Sequence, residues 1–236
     1  MSLINKSINI FCIIAKVGLN RHKYLEDILS DKRFVRRSKL KRLIYTTTIS
    51  QREEELMHGD KYNYITIKEF KNIDPSQLIE FRSYYTMDQG TVYYCTRTKD
   101  FEVNNNLICI TSPYQYEYYK KYCDNENIKH GYDKYKLHAI IIDATLVSRL
   151  KALATRFEKL YSENYSALEE LELYDLCRRI ISEKGEFDDV FKRLPELQHP
   201  MLNKNICYID ANIYDDTDHY ESNLNDIKMF IKNNCK

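Results

Sequence analysis

Apolar and polar positions along this chain follow two periods in alternation. Ile8 to Ala15 is a continuous apolar run rich in Ile, the pattern of a strand buried on both faces of a parallel sheet. A turn follows at Gly18, and residues from about Arg21 to Ser30 then set Leu25, Ile28 and Leu29 on one side of a helix. The chain opens as strand, loop, helix. Leu43 to Thr47 predicts a second strand, and Tyr62 to Ile67 alternates as a half-buried antiparallel strand does. Further strands fall at Leu78 to Tyr84 and Thr91 to Thr96. Leu107 to Thr111 and Leu137 to Asp143 are apolar enough for central strands, each followed by a helical segment, Tyr114 to Tyr122 and Leu146 to Leu160. Ile206 to Asp210 adds a strand, and Ile227, Phe230 and Ile231 mark a closing amphipathic helix.

Strands alternating with helices at this spacing predict an α/β fold with a doubly wound parallel sheet, and the short strands between about 62 and 96 an inserted antiparallel patch. Leu146 to Ser182 is charged and poor in Gly and Pro, which suits a mobile helical flap. There is no internal repeat and no low-complexity linker, so the 236 residues are expected to form one compact unit.

Composition narrows the function. Lys and Arg total 36 against 35 acidic residues, so no long-range field draws nucleic acid or membrane, and any anion site must be local. Seven cysteines form an odd set without C-x-x-C spacing, which argues against a disulfide framework and a zinc cluster and for a reducing compartment. The longest apolar run, Ile10 to Ala15, is too short to span a bilayer, and the start Met1-Ser2-Leu3 lacks the n-region of a signal peptide, so the expected location is the cytoplasm. Twenty-one tyrosines and only five glycines read as an AT-rich genome, although scarce glycine matters wherever a loop must wrap phosphate. The basic stretch from Lys32 to Arg42 reads as a solvated connector, and the stripe Tyr114, Tyr118, Tyr122 as packing or an interface. The six histidines show no metal-ligand spacing.

Two blocks carry specific chemistry. Thr47-Thr48-Ile49-Ser50-Gln51-Arg52-Glu53-Glu54-Glu55, followed by Gly59-Asp60-Lys61-Tyr62-Asn63-Tyr64, offers a guanidinium for a phosphate monoester, a phenol donor, and carboxylates able to accept from a guanine edge. Leu78-Ile79-Glu80-Phe81 and Gly90-Thr91-Val92-Tyr93-Tyr94-Cys95-Thr96 add an acid, a phenol and a hydroxyl. Together they resemble the guanylate kinase signatures T-T-R-x-x-R-x-x-E with G-x-x-Y-x-F, and F-I-E with G-x-Y-Y-G-[ST]. Arg52, Glu55, Tyr62, Glu80, Tyr94 and Thr96 match the positions that hold GMP in that family, Ile49 replaces the first arginine, and Cys95 stands where the family has Gly. A variant group is closer still: its E-[YF]-R-x-Y-x-T run resembles Glu80 to Thr86, and its Y-x-x-x-C-R-R element before D-F resembles Tyr174 to Arg179 with Phe187-Asp188. The resemblance implies catalytic lid arginines at Arg149, Arg156, Arg178 or Arg179, because phosphoryl transfer needs charge stabilisation.

The loop after the first strand departs from this family. Where the family has G-x-x-x-x-G-K-[ST], this chain has Ala15 and Asn20 in the glycine positions, Arg21 for the lysine and His22 for the magnesium-binding hydroxyl, with Gly18 between. Thr111-Ser112-Pro113 stands where an Asp is usual. No metal-ligating residue is therefore assigned.

The resemblance implies a three-layer P-loop kinase-like parallel-sheet core with an inserted antiparallel monophosphate-binding subdomain, about 46–105, and a helical lid, about 149–185, within a single domain 1–236. Three functions remain open: a protein that keeps a GMP-type pocket but transfers phosphate weakly or not at all; an active guanylate kinase that uses ATP and Mg, with Arg21 for the lysine; and a non-catalytic module binding a phosphorylated or acidic protein partner. No cofactor is assigned outside the active reading.

Overall fold

The structure is a computed structural model that describes residues 7–50, 62–86, 89–161, 180, 183–198, 203–211 and 217–235, with backbone alone at 156–161 and 217–218. The chain runs through β1 (Ile8–Ala15), α1 (Arg21–Ser30), α2 (Lys32–Ser38) and β2 (Leu40–Arg42). A second sheet intervenes, with β3 (Tyr45–Thr47), β4 (Tyr62–Tyr64), α3 (Ile67–Lys71), β5 (Leu78–Thr86) and β6 (Gly90–Arg97). After α4 (Thr98–Phe101) the core resumes with β7 (Asn106–Ile110), α5 (Pro113–His130), β8 (Tyr135–Asp143), α6 (Leu146–Tyr161), α7 (183–193), α8 (Pro195–Gln198), β9 (Ile206–Asp210) and α9 (Thr217–Asn234).

The core sheet has the order β2-β7-β1-β8-β9, every pair parallel. β1 shows why its sequence lacks alternation: Ile10, Cys12 and Ile14 feed one hydrophobic layer, and Phe11, Ile13 and Ala15 the other. The first layer is completed by Tyr116, Tyr119 and Cys123 of α5 with Phe187 and Val190 of α7. The second takes Leu25 and Ile28 of α1 and Leu224, Ile227 and Ile231 of α9. Fully buried side chains such as Ile28, Val190 and Ile227 each contribute roughly 1.5–3 kcal/mol. α5 is bounded by local chemistry: Ser112 and Gln115 form a capping box, Pro113 sits in the first turn, and Gly131 at φ 73° stops the helix. β1 crosses over to β2 on one side and β8 to β9 on the other, so a crevice opens at the carboxyl ends of the neighbours β1 and β8.

The second sheet has the order β4-β3-β6-β5. β3, β6 and β5 are antiparallel, whereas β4 pairs in parallel with β3 from Tyr62 to Tyr64, correcting the antiparallel reading of that segment. Alternation reveals a strand's two faces but not its direction. The basic stretch is not a connector either: it forms α2 and the core edge strand β2, while β3 joins the second sheet. In α5 Tyr116 and Tyr119 are buried and Tyr122 packs partly buried against the core, whereas Tyr114 and Tyr118 are exposed. Among the described residues no helix is long and apolar enough to cross a membrane.

Candidate functional site

The loop between β1 and α1 turns on two residues with positive φ. Gly18 has φ 95°, a conformation that side chains resist, and Asn20, at φ 44° and ψ 31°, precedes the first turn of α1. Arg21 Nη1 folds back to the Ala15 carbonyl at 3.3 Å, and His22 is exposed on the helix. The Val17 amide donates to Glu183 Oε1 at 2.6 Å. Glu183 lies on α7. Its other oxygen pairs with Arg149 Nη1 at 3.0 Å, with the two side chains only 11% and 9% exposed. Burial raises the Glu183 pKa above the usual carboxylate range, opposed by the Val17 amide and by the Arg149 and Arg21 charges. Lys16 Nζ meets Asp143 Oδ1 at 2.8 Å.

α6 closes over this loop. A methyl group on Gly18 would lie 3.3 Å from Leu153 Cγ and 3.4 Å from the Arg149 carbonyl. α7 is held to α5 by Tyr114 Oη donating to Asp189 at 3.0 Å and by Arg193 bonding to Glu117 at 2.7 Å. Beside the loop lies a cavity of ≈ 670 Å³ bordered by Lys16, Asp143, Arg149, Glu183, Phe187 and Tyr208, at the crevice that the topology creates.

These residues do not fit a magnesium ion. Ser112 Oγ accepts the Gln115 amide at 3.3 Å as a helix cap, His22 offers nitrogen where a hard cation wants oxygen, and Asp143 is paired with Lys16. Among the described residues no cluster of three His, Cys, Asp or Glu side chains assembles as a metal site.

The second sheet supplies the other half. Its register pairs Arg82 with Tyr94, Tyr94 with Thr47, Thr47 with Tyr64, Glu80 with Thr96, and Tyr45 with Tyr62. Paired residues share a face, so one face carries Tyr45, Tyr62, Tyr64, Tyr84 and Tyr94 around the guanidinium of Arg82. The Tyr94 ring lies 5.9 Å from Tyr62 and 5.8 Å from Tyr84. Burial, then the neighbouring Tyr62, raises the Tyr94 pKa, so its phenol stays neutral. Tyr45 Oη donates to the Ile110 carbonyl at 2.5 Å, setting this face over the carboxyl end of β7.

A buried network ties the face to α5. Glu80 Oε1 accepts from Thr96 Oγ1 at 2.9 Å and from Gln115 Nε2 at 3.2 Å, and Tyr119 Oη lies 2.6 Å from Thr96 Oγ1. Each hydroxyl has one proton, so with Thr96 donating to Glu80, Tyr119 donates to Thr96. Gln115 Oε1 accepts from Arg82 Nη1 at 2.6 Å and from the Ser112 amide at 3.0 Å.

Of the sequence-derived site residues, Tyr62, Glu80, Tyr94 and Thr96 therefore share one face, with Glu80 only 5% exposed. Arg149 is buried against the loop, not on an exposed helix face. Arg52, Glu55, Arg178 and Arg179 lie outside the described residues, as does the Arg156 side chain. Sequence reasoning gave no role to Arg82, Gln115 or Glu183. Arg82 was marked by its alternation with Glu80 and Tyr84 along β5, Gln115 by its capping-box spacing from Ser112, and Glu183 by no local pattern.

No protein-family profile matches the chain, and no curated protein does. Among solved structures, it is similar to guanylate kinase from Anaplasma phagocytophilum at 13% identity and a TM-score of 0.48, over 97% of this chain and 87% of that one.

Proposed function

We propose that this chain is a guanylate-kinase-like protein that holds a phosphate monoester of the GMP type on the tyrosine face and transfers phosphate from ATP weakly or not at all. The observation that carries this reading is the register that sets Tyr62, Glu80, Tyr94 and Thr96 on one face of the second sheet. Neutral phenols donate to phosphate oxygens, and carboxylates accept from the N–H edge of guanine. Arg52 and Glu55 join the site in this reading, Arg52 on the phosphate and Glu55 on the base.

The triphosphate side is weak for a physical reason. The amide at Val17, in the loop that would receive phosphate, already serves the Glu183 carboxylate, and an entering polyphosphate must displace that anion while leaving Arg149 without it. Arg21, turned toward Ala15, is not poised as the loop lysine would be.

Calorimetric titration with GMP, AMP and ATP, each with and without magnesium, tests the reading. It predicts GMP bound in preference to AMP, and ATP bound weakly with little help from magnesium. Micromolar, magnesium-dependent ATP binding together with turnover to GDP selects the active kinase.

A further inference from the structure

Arg82, the arginine of the run Glu80 to Thr86, has a place on the tyrosine face to which the motif assigns no role. It lies in the middle row of the face, paired in register with Tyr94 and partly buried. Its guanidinium carbon is 5.8 Å from the Tyr45 ring centre and 5.9 Å from that of Tyr94. A guanidinium has five N–H donors. Among the described residues it has a single hydrogen-bond acceptor, Gln115 Oε1 at 2.6 Å, and no ion-pair partner, and its buried Nε is unsatisfied. Gln115 is itself fixed by Ser112 and Glu80, so Arg82 is held in place rather than left to swing in solvent.

Burial opposes the Arg82 charge and the nearby Glu80 carboxylate favours it, yet Glu80 accepts from Thr96 and Gln115 and leaves the remaining Arg82 N–H groups open to an anion. The aromatic rings flank the guanidinium and offer cation–π contact, but they do not satisfy its remaining N–H groups. A planar donor fork matches phosphate oxygens, and the surrounding phenols add single donors. We propose that Arg82 is a second phosphate-gripping residue of this face, in addition to Arg52, and that its ligand is a phosphate monoester, with the tyrosines forming the wall around it. This rests on the monophosphate reading above, and it adds a residue that distinguishes a nucleotide from its nucleoside.

The test compares GMP, guanosine and inorganic phosphate on the wild-type protein and on Arg82→Gln and Arg82→Lys, with circular dichroism to establish folding. Arg82→Gln should weaken GMP about 10- to 100-fold while leaving guanosine unchanged, and Arg82→Lys should fall between because charge survives without the fork. Inorganic phosphate should raise the melting temperature of the wild type and not that of Arg82→Gln. If Arg82→Gln does not fold, Arg82→Lys carries the comparison. GMP affinity unchanged in the folded variants overturns the role of Arg82 and leaves the GMP reading standing. Wild-type protein that binds no GMP overturns both.

Discussion

Glu183 Oε1 accepts a hydrogen bond from the Val17 amide at 2.6 Å, joining α7 to the loop after β1 across 166 positions of sequence. With Arg149 on its other oxygen, this carboxylate is an internal anion for the loop. Glu183→Ala should cost roughly 3–5 kcal/mol of stability, because Arg149 is left buried without its partner. The double variant Glu183→Ala with Arg149→Leu should recover much of that loss. Sulfate should raise the melting temperature of Glu183→Ala more than that of the wild type, since the loop amide is then open to an outside anion. Equal sulfate responses in thermal unfolding would show that Glu183 does not occupy an anion site.

Gly18 sits at φ 95° under Leu153. Gly18→Ala should destabilise by roughly 1–3 kcal/mol in chemical denaturation, chiefly through backbone strain. Adding Leu153→Ala removes the 3.3 Å contact but not the strain, so the double variant should remain less stable than Leu153→Ala alone. Full relief by the second substitution would mean that side-chain crowding, not φ, sets the requirement for glycine.

His138 gives the fold an acid limit. It is 1% exposed, its ring stacks on Phe11 at 4.8 Å, and Nε2 donates to Asn9 Oδ1 at 3.0 Å while Nδ1 has no partner among the described residues. Burial, with Lys136 nearby, lowers its pKa from 6.5 to about 4. Between those values the unfolded chain holds a proton that the native state lacks, so stability rises with pH across that window and falls as the solution is acidified. The loss amounts to about 3 kcal/mol by the low end. His138→Gln keeps a donor for Asn9 without a titrating ring, and denaturation at a series of pH values should show a flatter slope there. An unchanged slope would assign the acid sensitivity to other groups.

Much of the core was legible because its signals are local. β1 and β9 announce themselves as compact apolar runs, and α1 runs from Arg21 to Ser30 as its periodicity predicts. β2 escaped because three residues at a sheet edge, with Lys41 exposed, carry no hydrophobic run. The rings of α5 fall on several sides of the helix, so the spacing of Tyr114, Tyr118 and Tyr122 gave no sign that Tyr116 and Tyr119 are buried. Glu80, Tyr94 and Thr96 were readable from motif order, yet Gln115, which binds Glu80 and Arg82 together, belongs to a helix far along the chain. Glu183 is the extreme case, because its meaning lies entirely in a contact with Val17.

The monophosphate side is expected to bind while the triphosphate side binds only weakly, and one ³¹P NMR titration tests both halves together. GMP, ATP and magnesium are placed in one tube and wild-type protein is added stepwise. The GMP resonance should shift and broaden, the three ATP resonances should move far less, and GDP should grow slowly or not at all over a day. Rapid multiple-turnover growth of GDP with protein, or ATP resonances moving while GMP stays still, would contradict the account.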